Sequence, residues 1–185
     1  YINSITCIKH MYLKKINLKK KIALVTGAGK GLGRACSIAL AEAGAHIIAI
    51  SRTQSDLDKL KKDINKINGT VEIILCDVTN LNNLENKIKK IKKIDILINN
   101  AGTNIPEFFN EVKQQSLNYL INLNLKAAFN VAQLTVKKML KNKIKDGAIV
   151  NMSSQLGHIS MEGRSVYSMT KFGIEGLTKG MALEL

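Results

Sequence analysis

The sequence is short of proline, cysteine, aromatic residues and acidic charge, and it has no long apolar run. Its one proline, Pro106, falls in a region read as loop, and no linker, repeat or low-complexity block interrupts the chain. Cys7, Cys36 and Cys76 are far apart and form no CxxC pair, so neither a disulfide framework nor a zinc site is expected. Reduced thiols in a cytoplasmic protein are the simplest reading. No apolar stretch approaches the roughly 18 residues of a membrane helix, so no membrane partner is expected. Aromatics make up 4% of residues, too few for a module that stacks bases.

The shortage of acid leaves 28 Lys+Arg against 14 Asp+Glu, a net charge of +14. A basic nucleic-acid binder is one reading of that figure. The lysines are dispersed, however, as at Lys59, Lys61, Lys62 and Lys66, then Lys87, Lys89, Lys90, Lys92 and Lys93. That spacing suits solvated faces of amphipathic helices, and no nucleic-acid partner is expected. A phosphate-rich small ligand would still be drawn to the field.

The 185 residues suit one domain, and 45% hydrophobic residues are enough for a packed core. The chain opens on Tyr1, with Met11 a candidate start. Residues 1–18 lack the apolar core and cleavage site of a signal peptide and read as a disordered or non-native leader. Residues 19–185 read as a single domain. Strand patterns at 21–26, 46–50, 71–76, 94–99 and 148–152 alternate with helical ones. Those helices run from about 32 to 43, ended by Gly44, and from Ser55 or Asp56 to 67, stopped by Asn68-Gly69. A third follows Thr79 or Asn80 to about 91; a long one spans 113–141; the last starts near 165. Apolar strands alternating with helices predict an α/β fold: a doubly wound, Rossmann-like parallel sheet in three layers. Ligands of such folds bind at the carboxyl ends of the strands.

Thr26-Gly27-Ala28-Gly29-Lys30-Gly31-Leu32-Gly33 lies between the first strand and the first helix. It is TGxxxGxG rather than GxGxxG. Gly27, Gly31 and Gly33 would let backbone N–H groups approach a pyrophosphate at the helix start, with Lys30 and Leu32 in the same turn. An NAD site normally has a carboxylate after strand two, for the ribose 2′-OH. Here that position reads Ile50-Ser51-Arg52-Thr53. Arg52 can hold a 2′-phosphate, Ser51 can donate to it, and Lys30 can approach it, which predicts NADP(H). The plain reading is that Arg52 and Lys30 are surface charges. Asp77 and Val78 follow strand three. They read as an adenine contact or, for Asp77, as a helix-cap or turn residue. Asn99-Asn100-Ala101-Gly102 ends strand four, where small residues let the chain pass close to a cofactor.

Tyr167 and Lys171, at i and i+4, share a helix face. A phenol is a poor acid or base at neutral pH, and a nearby ammonium favours its phenolate. The pair could therefore exchange a proton with a carbonyl or alcohol oxygen. YxxxK also arises often by chance as a surface pair. Ser154, just past strand five, could hold the same substrate oxygen or form a turn. Asn124 is polar amid an apolar helical run and needs partners. It reads as a structural residue or as a link in a proton relay to Lys171. No metal ligand set is present.

TGxxxGxG at 26–33, NNAG at 99–102, Asn124, Ser154 and Tyr-Ser-Met-Thr-Lys at 167–171 together resemble the classical short-chain dehydrogenase/reductase family, from about Lys21 onward. The resemblance implies a catalytic tetrad of Asn124, Ser154, Tyr167 and Lys171. Tyr167 would be the acid/base, Lys171 would also hold the nicotinamide ribose, and Ser154 would orient the substrate. Cofactor contacts would come from the glycine turn, Ser51, Arg52, Asp77, Val78, Asn99, Ala101, Gly102, Tyr167 and Lys171. Residues 26–33, 51–57 and 166–168 look like the NADPH-dependent dicarbonyl/L-xylulose reductases, and the layout equally like 3-oxoacyl-acyl-carrier-protein reductases. The implied substrate is a small carbonyl or alcohol compound: a sugar, a dicarbonyl or a 3-oxoacyl group. A homodimer or homotetramer is implied for the full-length protein. Family members continue with a sixth strand, a Pro-Gly turn, a substrate loop and a seventh strand. The sequence closes on Met181-Ala182-Leu183-Glu184-Leu185 without them. The resemblance thus implies a fragment with an unpaired sheet edge and little turnover. A non-catalytic nucleotide-binding fragment is the alternative; such a module needs no Tyr167/Lys171 pair.

Overall fold

A computed structural model describes residues 16–185. Cys7 and most of the expected leader lie outside the described residues. Leu18 does not: its N–H donates to the Ala43 carbonyl at 2.8 Å, and its side chain packs on the core.

Five parallel strands form one sheet: β1 (Ile22–Thr26), β2 (His46–Ser51), β3 (Thr70–Leu75), β4 (Ile96–Asn99) and β5 (Ala148–Asn151), in the order β3-β2-β1-β4-β5. The order reverses between β1 and β4, which creates a crevice at their carboxyl ends. Two cores follow from side-chain alternation along the strands. Ala23, Val25, Ile47 and Ala49 face α1 (Gly31–Glu42) and α2 (Gln54–Lys66), meeting Ala41, Leu57, Leu60 and Ile64. Leu24, Ile48, Ile50 and Leu97 face α3 (Leu81–Lys90) and α5 (Ala128–Lys141), meeting Leu84, Ile88, Val131 and Met139. The three-layer, doubly wound expectation is met. β5 pairs only with β4, and no strand covers its other side among the described residues. No helix among the described residues is long and apolar enough to cross a membrane.

Several helix ends follow local chemistry. Gly44 takes φ +97 after α1 and Asn68 takes φ +57 after α2, the left-handed geometry that ends helices. Asn80 caps α3, its side chain accepting from the Asn83 N–H at 3.1 Å. Neither Ser55 nor Asp56 caps α2. The N-cap is Thr53, without a side-chain bond, because Asp56 is turned inward and pairs with Lys30. The long helix at 113–141 is not one regular helix. Between α4 (Gln114–Ile121) and α5 it opens into a π-helical turn at Asn122–Ala127. Asn124 sits in that wider turn, at 2% exposure, where its amide finds partners in other segments. The last helix, α6, spans Ser165–Glu184.

Candidate active site

β1 and β4 are joined where the crevice opens. Thr26 Oγ1 accepts from the Asn100 and Ala101 N–H groups at 3.0 and 3.1 Å. Asn100 Nδ2 donates back to the Thr26 and Gly27 carbonyls at 3.1 and 3.4 Å. The turn from β1 into α1 is compact because Gly27, Gly29, Gly31 and Gly33 have no side chains. Gly27 and Gly31 have φ +64 and +52. A Cβ on Gly33 would overlap the Gly27 carbonyl oxygen and stand 2.5 Å from Asn100 Nδ2. Around Gly31 the space is open. No side chain caps the start of α1, and its first turn has no carboxylate. Its backbone donors are therefore left for an anion. Leu32 is 64% exposed beside them.

A cleft of about 270 Å³ runs from this turn across the ends of β2, β3 and β4. Gly27, Gly29, Lys30, Ser51, Arg52, Val78, Ala101 and Gly102 are among its lining residues. Glycine cradle, uncapped helix start, apolar floor and basic rim fit a dinucleotide. On the rim, Lys30 Nζ lies 3.3 Å from Asp56 Oδ2, with most of its side chain exposed. Arg52 Nη1 donates to Tyr119 Oη at 3.1 Å and lies 3.8 Å from Asp77 Oδ2. The other Asp77 oxygen accepts from the Thr79 N–H and hydroxyl at 2.9 and 2.7 Å. One carboxylate oxygen thus makes the turn and the other faces Arg52. Asn99 is placed differently from the other expected cofactor contacts. Its buried amide donates to the Ala128 carbonyl at 2.8 Å and to Asn151 Oδ1 at 3.0 Å, joining β4 to α5 and β5.

The proton-transfer pair lies where α6 passes the end of β5. Lys171 is 6% exposed, and its Nζ donates to the Met152 carbonyl at 2.7 Å. Burial pushes this ammonium below the usual lysine range. The same nitrogen stands 5.6 Å from the centroid of the half-buried Tyr167 ring. Ser154 Oγ accepts from the Leu156 N–H at 3.2 Å and so caps the short 3-10 turn Gln155–Gly157. That use fixes the hydroxyl oxygen and leaves its hydrogen free to donate.

Asn124 makes no hydrogen bond to Lys171. Its Oδ1 accepts from the Thr103 N–H at 3.0 Å; its Nδ2 donates to the Thr103 carbonyl at 2.9 Å and to Thr170 Oγ1 at 3.1 Å. Thr170 in turn donates to the Tyr167 carbonyl at 2.7 Å. The amide therefore ties the loop after β4 to the α6 turn that carries Tyr167 and Lys171. Asn124→Leu keeps the volume and removes three hydrogen bonds, one of them buried and two part-buried. It is expected to cost about 2–4 kcal/mol in denaturant unfolding. A loss below 1 kcal/mol would mean that the amide is not a structural tie.

Sequence reading missed Thr26, Asn100, Tyr119 and Thr170. Asn100 sits inside the recognised NNAG segment, so a signal existed. Tyr119 had none, since its partner is 67 positions away.

Comparison with known proteins agrees with this geometry. The family described as short chain dehydrogenase matches residues 21–185. L-xylulose reductase of Mesocricetus auratus is 40% identical over 170 residues, 92% of this chain and 68% of that protein. A 3-oxoacyl-acyl-carrier-protein reductase of Thermotoga maritima is 34% identical over 174 residues, 92% of this chain and 70% of that protein. A short-chain type dehydrogenase/reductase from Mycobacterium marinum superposes with a TM-score of 0.88 at 28% identity, covering 95% of this chain and 73% of that one. The chain thus belongs to the short-chain dehydrogenase family, and its chemistry is the nicotinamide-dependent interconversion of a carbonyl and an alcohol.

Proposed function

We propose that this chain carries the cofactor site and proton-transfer residues of an NADP(H)-dependent carbonyl reductase. The carrying observation is the cleft wall at the end of β2. Ser51, Arg52 and Lys30 line it, no carboxylate occurs in 50–53, and the one carboxylate in the lining, Asp56, is paired with Lys30. A 2′-phosphate meets cations there, whereas a ribose 2′-OH lacks its usual acceptor.

Bound nicotinamide supplies or accepts the hydride. The chain's own residues manage orientation and the proton. Tyr167 gives its phenolic proton to the carbonyl oxygen, or takes one from the alcohol. Lys171 spends one N–H on Met152 O and keeps two, which would serve the nicotinamide ribose, and its nitrogen lies 5.6 Å from the Tyr167 ring centroid. Ser154 donates its free hydrogen to the substrate oxygen. Asn124 holds the α6 turn in register. Asp77 and Val78 would hold the adenine, and the glycine turn, with Leu32, Ala101 and Gly102, would hold the rest of the dinucleotide. The substrate is a sugar, a dicarbonyl or a 3-oxoacyl compound, processed in the cytoplasm by the full-length protein as a homodimer or homotetramer.

The cofactor assignment is tested by titrating the chain with NADPH and NADH. Wild type is expected to favour NADPH, and Arg52→Asp to shift the ratio of dissociation constants toward NADH by about 10- to 100-fold. An unchanged ratio would refute the assignment.

A further inference from the structure

We infer that Tyr119 is a positioning residue for 2′-phosphate recognition: from α4, its hydroxyl holds the Arg52 guanidinium at the β2 end of the cleft for the phosphate. The inference rests on the NADP(H) reading and adds a residue outside the strand-two motif. Arg52 projects from the β2 end with about half its side chain exposed. A free arginine there would sample many rotamers and lose that freedom on binding. Here Nη1 donates to Tyr119 Oη at 3.1 Å and faces Asp77 Oδ2 at 3.8 Å. Both supports are anchored. The Tyr119 ring packs on the core that contains Leu123, and Asp77 is pinned through its second oxygen by Thr79. The guanidinium is therefore held at one nitrogen, and its remaining N–H groups keep the fork that matches a phosphate. The Tyr119 hydroxyl accepts from Arg52 and retains its own hydrogen, which a phosphate oxygen can accept.

The test titrates the full chain with NADPH and NADH, comparing wild type, Tyr119→Phe, Arg52→Gln and the double variant. Phe keeps the half-buried ring and removes only the hydroxyl. Tyr119→Phe is expected to weaken NADPH by about 3- to 10-fold and to leave NADH within about twofold. In the Arg52→Gln background the same change should do nothing, because the group it positions is gone. The inference is overturned if Tyr119→Phe leaves NADPH binding unchanged or tighter, weakens both nucleotides alike, or acts equally without Arg52. Two failures are separable. If Arg52→Gln collapses the NADPH preference and Tyr119→Phe does not reduce it, the inference alone fails. If Arg52→Gln leaves the preference intact, the NADP(H) reading fails and takes the inference with it.

Discussion

Gly33→Ala is expected to weaken NADPH binding at least about tenfold and to destabilise the domain by about 1–3 kcal/mol. The added methyl has nowhere to go. It would overlap the Gly27 carbonyl oxygen and crowd Asn100 Nδ2, and neither atom is the loose end of a flexible chain. Gly27 is fixed in the turn at φ +64. Asn100 is held by Thr26 through both its backbone and its side chain. Relief must come from moving α1 away from the β1 end, which opens the anion cradle. Gly176→Ala, in α6 with no heavy atom within 4 Å of the added carbon and no left-handed φ, is the control and is expected to keep stability and NADPH affinity. Unfolding curves and NADPH titrations should therefore separate the two variants: Gly33→Ala alone loses stability and affinity. Equal affinities would show that close packing of α1 on the turn does not shape the site.

The features legible in the sequence are those decided by near neighbours. Five strands, the glycine turn between β1 and α1, the Gly44 and Asn68 helix ends and the Asn80 cap follow from periodicity and turn chemistry within a few residues. The i, i+4 spacing of Tyr167 and Lys171 is legible for the same reason. Features that depend on distant partners are not. Asp56 has the chemistry of a cap, yet it pairs with Lys30, 26 positions earlier. The apolar spacing at 113–141 reads the same with or without a π-helical turn. What favours the turn is the set of partners that Asn124 finds in Thr103 and Thr170. The Asn99 amide sits in a motif associated with cofactors but is committed to Ala128 and Asn151. The Arg52–Tyr119 contact joins a strand end to a helix across the cleft, and no local pattern marks it.

Tyr167 carries the other large effect. Lys171 lies 5.6 Å from its ring centroid, buried and bonded to the end of β5, so a positive charge is fixed beside the phenol. Tyr119 is the other phenol beside a cation, Arg52, and it stands at the β2 end of the crevice instead. The most direct test is single-turnover reduction, with protein in excess over NADPH so that slow chemistry is visible. Dicarbonyls, sugars and 3-oxoacyl thioesters are the candidate substrates, and wild type is compared with Tyr167→Phe. NADPH oxidation by the wild-type chain is expected, with a rate lower by about 10²- to 10⁴-fold in the variant while NADPH still binds. A Tyr167→Phe protein that oxidises NADPH as fast as wild type would contradict the account.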